Sequence, residues 1–246
     1  MSTMNELGWL AENVRLTAFT KDEPSLADMT GAWKTVMGDE PDDVQSKPKD
    51  RTLLESGPFR DATLTFRYIP SRIDWVVSPC ESTLNAWHTI GGFDDETPHF
   101  VKLMTAWLAD SPEIIRLAFG AVLLIPVDDH DAGYKKVSEY LPFDIDLEAK
   151  NFMYQINRGR QSIVVPGLEI NRLCKWSCSQ RRIAKFVVGD AETTAMSNEF
   201  PTLFAARLEV DINTVPESNE PISDAAGLFD EFVRLGKEIA ASGDKP

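Results

Sequence analysis

Apolar positions recur along this chain with two spacings, every second residue and every third to fourth, and the alternation between them predicts an α+β protein. The most apolar run is Ile114–Val127, I-I-R-L-A-F-G-A-V-L-L-I-P-V, whose length and composition predict a buried strand. Residues 14–20 alternate, with Val14, Leu16 and Ala18 on one side, and predict a second strand. Arg15-Leu16-Thr17-Ala18-Phe19 echoes Arg116-Leu117-Ala118-Phe119, and each is followed by a polar break and helix-like spacing. A third Arg-Leu run begins at Arg207.

Helical spacing appears first at Leu26, Met29, Trp33 and Val36, with Ser25 as N-cap, Asp28 completing a capping box and Gly38 as the stop. Residues 39–51, D-E-P-D-D-V-Q-S-K-P-K-D-R, read as a solvent-facing excursion. Residues 61–68 and 71–78 alternate around Pro70-Ser71 and predict a hairpin, and 84–90 a further short strand. A helix is expected over 100–108, with Pro98 in its first turn, and another over 133–141. Strands are expected at 150–157, 161–165, 168–178, 183–188 and within 200–214, with turns at Arg158-Gly159-Arg160 and C-S-Q-R-R. The clearest helix is 222–240, where Leu228, Phe229, Phe232, Leu235 and Ile239 follow a 3.6-residue period after a Ser223 cap.

This order predicts an antiparallel or mixed sheet, or two related sheets, with helices packed on one face. It also predicts two degenerate β-α-β-β repeats, over 1–111 and 112–246, plus a C-terminal strand-helix, the halves packed as one body. A doubly wound parallel sheet would need a helix after most strands, and the hairpins argue against that.

Composition adds limits. An apolar fraction of 43% and a charged fraction of 26% are ordinary for a globular protein, but the net charge of −14 disfavours a general nucleic-acid coat. The first residues lack a basic stretch and an apolar core of the secretory kind, and the longest apolar run is interrupted by Arg116 and too short to span a bilayer. Three cysteines do not form a secreted disulfide framework, so a cytoplasmic, reducing location is expected.

Candidate chemistry is sparse. Asp128-Asp129-His130-Asp131, after the central strand, is the densest cluster of carboxylates around an imidazole and the best position for a metal-dependent hydrolase or nuclease-like site. Neighbours in one turn rarely converge on one ion, so a solvated turn is the simpler reading. Cys174 and Cys178, in C-K-W-S-C, share a strand face with Trp176 about 13 Å apart, which suits packing better than zinc. No G-x-S-x-G, P-loop or G-x-G-x-x-G pattern occurs, and Asp42-Asp43, Asp94-Asp95 and Asp144/Asp146 each read as surface pairs. No cofactor or structural metal is expected.

The uneven feature is basic. Arg158, Arg160, Arg172, Lys175, Arg181, Arg182 and Lys185 share a window whose only carboxylate is Glu169. With Trp176 they could form a ridge for a protein partner, or for nucleic acid as a lesser expectation. Self-pairing with the protein's own carboxylates is the simpler alternative. The sequence therefore favours a non-enzymatic interaction or assembly protein that uses a sheet edge and this ridge to meet a partner or a second copy. An enzyme built on Asp128–Asp131 and an accessory nucleic-acid binder are the alternatives.

Overall fold

The computed structural model of the chain describes residues 8–80, 86–182, 202–216 and 220–244. Among them a single antiparallel sheet organises the molecule. Its strands are β1 (Leu10–Thr20), β2 (Asp43–Lys47), β3 (Thr52–Phe59), β4 (Ala62–Ile69), β5 (Arg72–Pro79), β6 (Gly91–Gly92), β7 (Ile114–Val127), β8 (Met153–Asn157), β9 (Arg160–Gln161), β10 (Glu169–Arg182) and β11 (Thr202–Thr214). The helices are α1 (Leu26–Met29), α2 (Ala32–Met37), α3 (Phe93–Ala109), α4 (His130–Ser138) and α5 (Ala225–Ser242). The strand order is β2-β3-β4-β5-β1-β7-β11-β10-β8, with β6 on β1 and β9 on β10.

β1 and β7 lie at the centre because they tolerate burial on both faces. Leu16 and Phe119 pair in register and point toward the helices, while Thr17 and Ala118, the next pair, are buried on the opposite face. Outward from this pair the order is symmetric in kind: β5 flanks β1 as β11 flanks β7, and β4 follows as β10 does. A long helix closes each half, α3 after β5 and α5 after β11.

The helices cover one face of the sheet. Trp75 meets Trp107 of α3 edge-on at 5.9 Å and Trp33 of α2 at 6.4 Å, while Phe66 packs on Trp75 at 4.7 Å. Phe229 of α5 sits between Phe119 of β7 and Phe100 of α3, edge-on to both. Each buried aromatic contributes roughly 1.5–3 kcal/mol through burial alone, and its edge-to-face contacts add to that. Trp33, Trp75 and Trp176 are fully buried, and Trp9 and Trp107 nearly so, so these tryptophans build core rather than an interface.

The sequence and the structure part in several places. The segment 26–37 forms two short helices broken at Thr30-Gly31; the Ser25–Asp28 capping box is present, and the buried Glu55 of β3 accepts the Trp33 N–H at 3.3 Å to cap the second helix. The polar stretch 39–51 contains β2, an edge strand without a single buried residue. α3 begins at Phe93, so Pro98 lies inside it instead of in its first turn. Residues 86–90 form no strand, and Leu84 lies outside the described residues. The return strand at 161–165 is replaced by a turn in which Ser162 Oγ accepts the N–H groups of Val164 and Val165. C-S-Q-R-R is not a turn but the end of the single long strand β10, and the strand expected at 183–188 lies outside the described residues. Asp224, not Ser223, caps α5 by accepting the Gly227 N–H at 2.8 Å.

The end of α5 is fastened at several points. Trp9 Nε1 donates to the Ala240 carbonyl at 2.8 Å, and the Asp244 N–H donates to the Tyr140 carbonyl at 2.8 Å. Gly243 between them has φ 68° and ψ −154°, a region closed to side-chain-bearing residues, and a Cβ there would meet the Tyr140 carbonyl. Gly243→Ala is therefore expected to lower stability by about 1–3 kcal/mol in urea unfolding.

Candidate functional site

Among the described residues no helix covers the other face of the sheet, and the candidate functional surfaces are this open face and the two sheet edges. From β8 to β1 the open face carries polar side chains that are tied to one another across the strands. A chain of hydrogen bonds runs from β8 toward the centre. Asn157 Nδ2 donates to Asn171 Oδ1 at 2.9 Å, Asn171 Nδ2 to Asn213 Oδ1 at 3.1 Å, and Asn213 Nδ2 to Asp211 Oδ1 at 2.7 Å. The last link is Arg15, which reaches from β1 over β7 to Asp211 Oδ2 at 2.7 Å.

Gly120 makes that last link possible. It lies between Arg15 and Asp211 in the register, and a Cβ there would collide with the Arg15 guanidinium. Beside this bridge is a shallow depression of about 160 Å³ lined by Asn13, Arg15, Gly120, Lys175 and Glu209, among others. It holds no nucleophile beside a base. Lys175 and Arg207 both bond Glu209, at 2.7 and 3.1 Å, and Arg207 also pairs with Glu12 at 2.7 Å. Burial pushes the Glu209 carboxyl up, but these bonds outweigh it and hold it below its ordinary value.

The basic window is dispersed by this geometry. Arg158 clamps the chain end through a two-pronged contact with Asp244, at 2.5 and 3.0 Å, and Tyr154 donates to the same carboxylate at 2.7 Å. Lys175 lies on the open face, Arg172 is half-buried on the helix side near Asp244, and Trp176 is buried against the helix layer. Arg160 is in β9 beside the start of β10, whereas Arg181 and Arg182 end β10. Ten residues of strand separate Arg172 from Arg182, roughly 34 Å, so the two expected basic tips stand at opposite ends. They do not form one ridge, and Trp176 is no part of a surface.

The Asp128–Asp131 turn is the start of α4. Asp129 is its N-cap, accepting the Ala132 N–H at 2.8 Å; Asp131 lies in the first turn, where negative charge suits the helix dipole. His130 packs on Tyr134 at 4.1 Å between ring centres, and its Nδ1 is 3.9 Å from Asp131. Among the described residues no three His, Cys, Asp or Glu side chains are grouped to hold a metal ion. Cys174, Trp176 and Cys178 do share one strand face. Burial pushes the Cys174 thiol up to about 12 and the Cys178 thiol up to about 11, which leaves both unreactive at neutral pH, while Cys80 is exposed.

The edges differ from each other. β2 carries Asp43 and Lys47 and lies between Pro41 and Pro48. β8, M-Y-Q-I-N, carries no charge and no proline, and its Met153 is 64% exposed. Phe143, itself exposed, packs edge-on to Tyr154 of β8 at 5.3 Å, and Leu147 is exposed in the same preceding segment. Sequence reading missed both the bonded open face and this contrast, because each depends on which strands become neighbours. Among the described residues no helix is long and apolar enough to cross a membrane. No protein-family model, curated protein or solved structure matches the chain.

Two outcomes follow. The Arg158 contact holds the Asp244 carboxyl below its ordinary value of 3.8, against the opposing effect of burial. Its contribution to stability is therefore full above the unfolded-state value and is lost as pH falls through the lowered folded value. Urea unfolding at intervals from about pH 6 down to about pH 2 is expected to show a shallower acid loss in Asp244→Asn than in the parent. With a disulfide-exchange reagent at neutral pH, one rapid equivalent is expected from the native protein, abolished in Cys80→Ser, with Cys174 and Cys178 reacting only on unfolding.

Proposed function

We infer that the chain is a non-enzymatic assembly protein that meets a second copy of itself edge to edge along β8. The observation that carries this reading is the uncharged, proline-free β8 with its exposed Met153, at the end of a sheet whose other edge is guarded by Asp43 and Lys47. Natural sheets protect free edges with charge, proline or cover; β8 carries neither charge nor proline, and among the described residues no strand pairs with its outer side. Antiparallel pairing of two copies about Gln155 places Met153 opposite Asn157 and brings no like charges together. The exposed Phe143 and Leu147 then flank the joint from both copies. In a chain of net charge −14, such a neutral margin is where two copies approach at least electrostatic cost.

The same reading treats the molecule as an internal duplication with halves over 1–111 and 112–246, supported by the matched order of strands about β1 and β7. The joint along β8 then extends one sheet that already contains two similar halves. Three free thiols suit a reducing, cytoplasmic setting.

Light scattering coupled to size exclusion, from low micromolar to near millimolar protein, tests the assembly. Concentration-dependent dimers are expected for the parent, and monomers for Met153→Lys and for Gln155→Pro, each with an unchanged circular dichroism spectrum. A parent that stays monomeric throughout the range sinks the reading.

A further inference from the structure

The register of the open face builds a second feature far from β8. One row crosses the sheet at right angles to the strands. It starts at the Lys47–Thr52 pair of β2 and β3 and continues through Ile69, Arg72, Phe19 and Arg116 on β4, β5, β1 and β7. The row contains three cations and two apolar side chains, and no carboxylate. Two guanidinium groups flank one ring: Arg72 lies 5.7 Å and Arg116 4.8 Å from the centre of Phe19.

The neighbouring row supplies one counter-ion. Asp74 accepts from Arg72 at 2.9–3.1 Å and from the Thr17 hydroxyl at 2.6 Å, and its side chain is only 8% exposed. Arg67 stands opposite Asp74 in the register but makes no ion pair with it, and Arg116 has no carboxylate partner among the described residues. A shallow depression of about 260 Å³ joins Lys47, Leu54, Arg67 and Ile69, with Asp50 on its lining. The Lys21–Glu113 pair, 3.8 Å apart, bounds the row and is itself balanced. A surplus of positive charge thus sits on exposed sheet in a protein of net charge −14.

We propose that this row, Lys47–Arg72–Phe19–Arg116 with Arg67 beside it, binds an extended acidic peptide segment laid across the strands. Adjacent strands are about 4.8 Å apart, so Arg72 and Arg116 stand roughly 10 Å apart and Lys47 and Arg72 roughly 14 Å apart. An extended peptide advances about 3.3 Å per residue, so carboxylates three and four residues apart meet successive cations. Ile69 gives the intervening residues an apolar bed, while Phe19 holds the Arg72 and Arg116 guanidinium groups on either side of its ring. Arg116 and Arg67 offer guanidinium donors for two-pronged carboxylate contacts, and Arg72 is held in place by Asp74.

Two other anions fit the geometry less well. The cations are spread over several strands and the backbone N–H groups between them are engaged in the sheet, so nothing converges on a single phosphate. A single-stranded nucleic acid needs free ring faces for its bases, and Phe19 is already flanked by Arg72 and Arg116. This binding is independent of β8 pairing, which uses the far edge of the sheet.

Fluorescence anisotropy of a fluorescein-labelled oligoglutamate peptide tests the proposal. At about 0.1 M salt the screening length is roughly 10 Å, so remote carboxylates are largely screened while direct contacts persist. Binding is expected there and should weaken steadily toward about 0.5 M salt. Arg116→Ala and Arg67→Ala are each expected to weaken it roughly three- to fivefold, and the double variant about tenfold or more. Arg234→Ala, on the helix side, should leave it unchanged, and melting curves establish that all variants are folded. Absence of binding, or binding indifferent to Arg67 and Arg116, overturns the proposal. So does displacement by sodium phosphate well beyond that by sodium chloride at equal ionic strength, or equally tight binding of a labelled oligothymidylate.

Discussion

One-sided burial is the constraint on which the rest of this structure depends. Among the described residues a single antiparallel sheet carries all its helices on one face, where the aromatic core around Trp75 and Phe229 supplies the apolar stabilisation. The opposite face must remain in water without inviting another sheet. It does so with long polar side chains tied across strands, from Asn157 through Asn213 and Asp211 to Arg15. Exposed ion pairs of this kind contribute little singly, about 0–1 kcal/mol each. Their effect on the open face is to fix side-chain positions and to keep apolar patches small.

The centre of the sheet shows how the two demands meet in one strand. β7 sends Phe119 into the core and presents Ala118 and Gly120 to the open face. Small residues on that side allow β1 and β11 to exchange a charged contact over the top of β7. The same sparseness makes the face shallow, so it offers no deep enclosure in which a small substrate could be desolvated, while it does offer length and a sequence of charges. Extended ligands suit such a surface better than compact ones.

What could be read in advance follows from where each residue's information lies. α5 was legible because its apolar residues repeat every 3.6 residues, and β7 because its long, nearly continuous apolar run suits a strand buried on both faces. β2 was invisible, since a solvent-exposed edge strand has no apolar side to repeat; it is held by backbone bonds to β3. β10 was ended early, at Cys178, because Ser179 and Arg181 on its open face resemble a turn when read in a line. The basic window looked like a cluster because Arg158 to Arg182 are near in sequence, but one long strand carries them apart. The converse holds for Lys47, Arg72 and Arg116, which are distant in sequence and become neighbours in one row only through strand register. Asp128–Asp131 looked chemical because a helix cap and a catalytic cluster draw on the same residue types.

The placement of β1 between β5 and β7 has a consequence for how the chain becomes a fold. Its partner Val77 lies within the first third of the chain, but Ala121, its partner on the other side, comes about a hundred residues after Val14. A growing chain therefore completes β1 to β5 while the most apolar margin of that sheet, the one destined for the middle, is still bare. Local hairpins form quickly and distant strand pairing slowly, so the arrival of β7 is the step that sets the pace. Until then the nascent half carries its greatest risk of pairing with the wrong chain at what will become the best protected line in the finished molecule.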